Sequence, residues 1–299
     1  MGINENYKKV IEPIFMVALI SLLIFLSNVS LLILATGPIL LSIYIFKYGY
    51  KGFLTTLLGT FILGLLYMDI KDLIVLVGLI FLISLCFYLP IRYQKNDKVE
   101  ILTVFILLTL ILTGSFSYSL VKEGLSLDYL ANEMKGIIEG SLEYKLPIEY
   151  IKLSIGLYPS FFAFFSFIYS LAGIKLIRNY VSIKLDLVDD LKKANELRLE
   201  YKDLLAFVAF AGLSYLLAFL FKVDMNYVYL NIVGIILVVI AFNGLSAYDY
   251  MIAKSSIPVS RGFQWFFIII LLEFLLIFFV ILGFIDIILD IRKKRSLNE

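Results

Sequence analysis

The chain has 299 residues, 62% hydrophobic and 17% charged, with 26 basic against 24 acidic side chains, a net charge of +2 and a mean hydropathy of +0.97. A soluble domain carries about 25% charged residues and roughly half apolar ones, so this composition cannot clothe a water-exposed surface, and scattered lysines at this net charge exclude the concentrated basic face that a nucleic acid needs. Histidine is absent and Cys86 is the single cysteine, which excludes an intramolecular disulfide, a Cys/His zinc site and a histidine-dependent triad.

Crossing a bilayer takes about 20 apolar residues in a helix. Runs near that length recur at 10–27, 29–46, 52–68, 73–89, 101–121, 153–174, 204–221, 228–247 and 263–288. The expected fold class is all-α: a polytopic transmembrane helix bundle of about nine spans, or eight if one fails to cross. Lys8 and Lys9 precede the first run, and no small-residue cleavage pattern follows it, so a retained span is expected there rather than a signal peptide. Pro38 and Pro159 fall inside spans, where a missing amide hydrogen bond predicts local kinks. In the third span Gly52, Thr56, Thr60 and Gly64 recur every four residues and form a smooth ridge, read as a helix-packing face. Cys86 lies in an apolar run and reads as a small buried hydrophobe.

Two segments depart from the spanning pattern. Between 125 and 142, Leu127, Leu130, Ala131, Met134, Ile137, Ile138 and Leu142 recur at helical spacing opposite Asp128, Asn132, Glu133, Lys135, Glu139 and Glu143, which predicts an acidic amphipathic helix at an interface or a solvated loop. From 180 to 203 the chain is dense in charge, with a weak apolar stripe through Leu187, Leu191, Ala194 and Leu197, and is expected to form a polar cytoplasmic linker helix. It divides the chain into a six-span amino-terminal module (1–179), the linker (180–203) and a three-span carboxy-terminal module (204–299).

Further on, Asn243 and Gly244, then Ser246 and Asp249, make a polar, flexible patch that a ligand or a neighbouring helix can approach. Glu273 sits at the centre of FFIIILLEFLLIFF with no basic residue within two turns. A carboxylate at that depth costs about 2.5–3.5 kcal/mol on insertion scales, so it must face the protein interior, be protonated or find a partner on another helix. Asp286 and Asp290 share a helical face just before Arg292, and read either as solute- or ion-coupling acids or as an anchor at the end of the span. The candidate substrate-binding or coupling residues are thus Glu273, Asn243, Gly244, Asp249, Asp286 and Asp290. No P-loop, serine elbow or metal-binding histidine pair is present, so no enzyme, metal or cofactor is expected.

Basic residues favour the cytoplasmic side of a span. An amino terminus placed inside puts Lys8, Lys9, Lys47, Lys51, Arg92, Lys95, Lys98, Lys175 and Arg178 in the cytoplasm, and Ser27, Asn28, Asp69, Asp72 and the acidic amphipathic segment on the other side. The same alternation over nine spans exports Arg292, Lys293, Lys294 and Arg295, so either one span fails to cross or the basic tail lies outside.

The stretch from Phe242 to Ser246, the later stretch from Gly283 to Arg292, and Gly37 to Leu41 leading through Lys47, Tyr48 and Gly49 resemble the YybS-like family of bacterial multi-pass membrane proteins, whose function is undetermined. The likeness runs over nearly the whole chain on short motifs, with Asn243 where that family usually carries Gln. The family's amino-terminal module in turn resembles the S component of energy-coupling-factor vitamin transporters. The resemblance implies a component that binds or transports a small solute, vitamin-like or a precursor, in the cell membrane; a non-catalytic scaffold for cell-envelope or developmental machinery is the alternative. The partners expected are the lipid bilayer, a small-molecule ligand and another membrane protein, with no nucleic acid.

Overall fold

The computed structural model describes residues 5–26, 31–93, 96–141, 146–189, 191, 196–220, 224–254 and 260–292. Ser27, Asn28, Lys95, Leu142, Glu143, Ala194, Lys293, Lys294 and Arg295 lie outside the described residues, and of Lys8, Lys9 and Glu273 only the backbone is described. Among the described residues every regular element is a helix, in the order α1 (Glu5–Leu26), α2 (Leu31–Leu34), α3 (Thr36–Gly64), α4 (Ile70–Tyr93), α5 (Asp97–Lys122), α6 (Leu127–Ser141), α7 (Ile148–Gly156), α8 (Tyr158–Leu185), α9 (Tyr201–Leu220), α10 (Met225–Ala253), α11 (Arg261–Ile270) and α12 (Leu272–Leu289).

Among the described residues five stretches are long and apolar enough to cross a membrane: Ile70–Tyr93, Asp97–Lys122, Ile148–Leu185, Tyr201–Leu220 and Met225–Ala253. Ile11–Leu26 and Phe274–Leu289 are shorter apolar helices. The expected count of about nine therefore meets five stretches that combine the length and the apolarity a crossing needs. The second and third expected spans are joined in α3, which changes direction at Gly49 (φ 66°, ψ −167°), a conformation that a side chain rarely adopts. The last run is divided at Leu271 into α11 and α12. Large side chains such as Phe219, Phe274 and Ile277 stand outward on these helices, as a lipid-facing surface requires.

Each proline expected to kink a span lies beside a helix break, and side chains satisfy the backbone groups released there. At Ala35, just before Pro38, the Tyr169 hydroxyl donates to the Ala35 carbonyl at 2.6 Å and Thr36 Oγ1 to the Ile33 carbonyl at 2.7 Å. At Leu157, before Pro159, Asn231 Nδ2 donates to the Gly156 carbonyl at 2.8 Å while its Oδ1 accepts from the Ser160 amide at 3.1 Å.

Contacts group the chain into two compact units, one of Met1–Leu108 with Ile168–Leu191 and the other of Thr109–Phe167 with Lys192–Glu299. In the first, Ile20, Ile24, Leu41, Ile45, Leu73, Ile80, Phe81 and Tyr88 from α1, α3 and α4 form a common core. Thr56 and Thr60 are fully buried, and a Cβ at Gly64 would meet Leu73 of α4 while one at Gly52 would meet the side chains of Tyr44 and Tyr48. In the second unit α6 forms over the amphipathic segment, with Ser126 Oγ accepting from the Tyr129 amide at its start and Ala131 buried.

Of the polar linker helix expected over 180–203, the described residues form helix at the two ends. Residues 180–185 complete α8, the described residues between Asp186 and Glu200 carry no α-helix, and α9 begins at Tyr201. Asp186 takes a left-handed conformation (φ 50°) that ends the helical run. The apolar stripe through Leu187, Leu191 and Leu197 was too weak to hold a helix against what non-helical backbone provides here: carbonyl and amide groups left open to neighbouring side chains.

Candidate functional site

In the second unit the end of the segment between α8 and α9 (186–200, the connector), α10 and α12 bring together Asn243, Ser246, Asp286 and Arg292. α12 ends at Asp290, whose left-handed backbone (φ 48°, ψ 51°) turns the chain so that Arg292 folds back over the last turn. Its guanidinium meets Asp286 Oδ2 through Nη2 at 2.7 Å and through Nε at 3.1 Å, with side chains 4% and 2% exposed. Nη1 donates to the Leu197 carbonyl at 2.7 Å and to Ser246 Oγ at 2.8 Å, and Nη2 also to Asn243 Oδ1 at 2.7 Å.

Asn243 uses its whole amide. Oδ1 accepts from Arg292 and from the Leu199 amide at 2.9 Å; Nδ2 donates to the Gly283 carbonyl and to Asp286 Oδ2, each at 3.2 Å. The helices approach closely enough for this because Gly244 and Gly283 face each other's backbone: a Cβ on Gly244 would lie 1.8 Å from the Phe279 carbonyl oxygen, and one on Gly283 2.1 Å from that of Ile240. Asp286 Oδ1 is buried and accepts no hydrogen bond among the described residues.

Of the residues expected to form a site, Asn243, Gly244 and Asp286 thus meet. Asp290 sits beside them with its own partner, Arg198 Nη1 at 2.8 Å, and Asp249 is buried on α10. Glu273 lies 13 residues before Asp286 on the same helix, about 20 Å along its axis at 1.5 Å per residue, which is too far to share the cluster. Arg292 supplies the centre of the cluster. The sequence marked it as a flanking charge, because nothing in a basic run tells which member turns inward.

The first unit holds a second buried guanidinium that the sequence did not single out as a site. Arg178 of α8 donates through Nε to the Asp189 carbonyl of the connector at 2.8 Å, and through Nη1 to Asp97 Oδ1 at 2.6 Å and Glu100 Oε2 at 3.3 Å. The Arg178 and Glu100 side chains are 8% and 1% exposed, and Glu100 Oε1 is buried with no hydrogen-bond partner among the described residues. The spacing of Asp97 and Glu100 on one face was visible, but acids in the first turn of a helix are ordinary partners of its amino-terminal dipole. Only Arg178, far away in the chain, sets these two apart.

Among the described residues no group of three His, Cys, Asp or Glu side chains stands close enough to hold a metal ion. The arrangement can hold charge out of water, exchange a proton at a carboxylate, or lock helices to the connector. Comparison with protein-family models, with curated proteins and with solved structures finds no match for this chain.

Proposed function

We propose that the chain is a multi-pass membrane protein that binds or transports a small polar solute, vitamin-like or a precursor, in the manner that the YybS-like resemblance implies. The observation that carries this reading is the presence of two buried arginine–carboxylate clusters, one on helices long and apolar enough to cross a membrane and one at the end of the shorter apolar helix α12. Ionisable groups in such helices are costly, and they typically mark solute or ion pathways. A panel of vitamin-like and envelope-precursor compounds tests it: at least one raises the melting temperature of the detergent-purified protein, and Glu273→Gln reduces that rise. A panel without any shift removes the reading.

A scaffold role is favoured by one specific feature. Asn243 spends every donor and acceptor within the chain and Gly244 touches backbone, so the second unit's cluster is closed to a solute. On that reading crosslinkers placed between Asp189 and Lys202 capture a membrane-protein partner in cells, and failure to capture one counts against it.

For orientation we infer a cytoplasmic amino terminus, with the connector and the carboxy-terminal basic residues on that same side. The support is Arg292 on the Leu197 carbonyl and Asp290 on Arg198, which hold the end of α12 to the connector. One of the three apolar stretches after the connector then fails to cross, and the one broken at Leu271 is our choice, giving eight crossings from the nine runs. In a Cys86→Ser background, cysteines at Asp189 and Glu299 should react with an impermeant maleimide from the same side. Labelling from opposite sides would restore the ninth crossing.

A further inference from the structure

We propose that α6 is seated in the lipid headgroup layer, with Met134 and Ile137 on the outer edge of its apolar face inserted at the acyl boundary of a zwitterionic bilayer. α6 follows one stretch apolar enough to cross a membrane, Asp97–Lys122, and precedes another, Ile148–Leu185. The passage into it is short. The chain turns at Gly124 (φ 66°), where the Leu125 amide donates to the Leu120 carbonyl at 2.9 Å, and helix resumes at Leu127. Near the start of α6, Asp128 Oδ1 pairs with Lys152 Nζ of α7 at 2.6 Å, which holds the helix to the beginning of the second stretch. Chain connection and ion pair thus keep α6 at the surface where both stretches leave the bilayer.

Leu127, Leu130, Ala131, Met134, Ile137 and Ile138 recur at helical spacing and make one face. Protein covers only part of it. Ala131 is fully buried and Leu127, Leu130 and Ile138 are half-buried, whereas Met134 is 45% and Ile137 67% exposed. A helix of 15 residues is marginal in water by itself. Gly136 and Gly140, each with open space where a Cβ would lie, weaken it further relative to alanine. A second apolar surface must therefore complete the burial, and the acyl boundary adjoins the helix by chain connection alone. Charge selects the headgroup. Asp128, Glu133 and Glu139 outnumber Lys135 on α6, and the balance stays negative with Lys152 counted against Asp128. Anionic lipid repels such a helix, while zwitterionic lipid accepts it. This placement does not rest on the proposed solute handling.

The test is spin labelling of the full chain in phosphatidylcholine nanodiscs. In a Cys86→Ser background, nitroxides are attached singly to Asn132→Cys, Met134→Cys, Gly136→Cys and Ile137→Cys. Collisions with oxygen, which concentrates in lipid, are compared with collisions with a water-soluble nickel chelate. Labels at 134 and 137 should favour oxygen several-fold more than those at 132 and 136. Preference for nickel at all four positions places α6 in water and overturns the proposal. Access to neither reagent at 134 and 137 places that edge under protein, a second copy or a partner, and overturns it as well. Replacing part of the lipid with anionic phosphatidylglycerol should leave the oxygen preference unchanged or lower it; a rise would overturn the zwitterionic assignment. Amide hydrogen exchange gives a readout free of label: in the same nanodiscs Ile137→Ser should exchange several-fold faster across 127–141 and at the wild-type rate in α10. Unchanged exchange in α6, or faster exchange in both helices, counts against lipid as the occupant.

Discussion

Arg178 in the first unit and Arg292 in the second are built from the same parts: a buried guanidinium, a carboxylate with one unpartnered oxygen, and a carbonyl of the non-helical connector. They differ in what surrounds the charge. Arg292 has Asp286 as its buried acid and spends its remaining hydrogens on Asn243, Ser246 and Leu197, a set that closes on itself. Arg178 divides one nitrogen between Asp97 and Glu100. Burial alone therefore does not identify a responsive group. A saturated ion pair fastens, while a guanidinium shared by two acids leaves each of them with fewer of its hydrogens.

The largest expected effect breaks the saturated side. Arg292→Leu strands Asp286 with Asn243 as its remaining donor and also frees the Leu197 carbonyl, so the loss should be about 3–5 kcal/mol of unfolding free energy in mixed-detergent titrations. Adding Asp286→Leu should recover part of it, since the unpaired buried charge is then gone. If the double variant is no more stable than the single one, the pair is not what that region loses.

Next in size is the contact that lets α10 and α12 approach. Gly244→Ala pushes a methyl group into the Phe279 carbonyl, which backbone cannot yield as a side-chain tip would. Overpacking of this kind costs about 1–3 kcal/mol. In contrast, Gly64→Ala meets the side chain of Leu73 rather than backbone and should cost less, and equal losses at the two positions would contradict this account.

Asn231→Ala should remove about 1–3 kcal/mol, the cost of leaving buried backbone groups unpaired, because the Gly156 carbonyl and the Ser160 amide lose their partner at the break before Pro159. A loss this large with no change in the Arg292 cluster would show that the second unit is fastened at two independent places.

The sequence made the helical, apolar class legible, because runs near 20 residues admit no other backbone in lipid. It also made the breaks near Pro38 and Pro159 legible, along with the turn at Gly49 and the small-residue face of α3. What it concealed depended on partners distant in the chain. Asn243, Gly244 and Asp286 could be chosen because each is unusual within its own run; Arg178, Asp97 and Glu100 could not, since each is ordinary at a helix end until the fold joins them. The connector failed as a helix for a related reason. Its charges and thin apolar stripe satisfy a periodic pattern, yet its backbone groups serve arginines and an asparagine that no local reading can supply.

The smallest expected effect lies at the edge of the second cluster. Arg198 and Asp290 pair at 2.8 Å but remain 32% and 43% exposed. Water screens such a pair, so Arg198→Met should change stability by about 0–1 kcal/mol, well below Arg292→Leu two residues further along the chain from Asp290. The methionine keeps most of the apolar stem and deletes only the charge. Added salt should therefore mimic the substitution in the wild type and do little to the variant. A large loss at Arg198 that salt does not reproduce would mean that the end of α12 is held to the connector from its rim, and that the buried Arg292 is secondary.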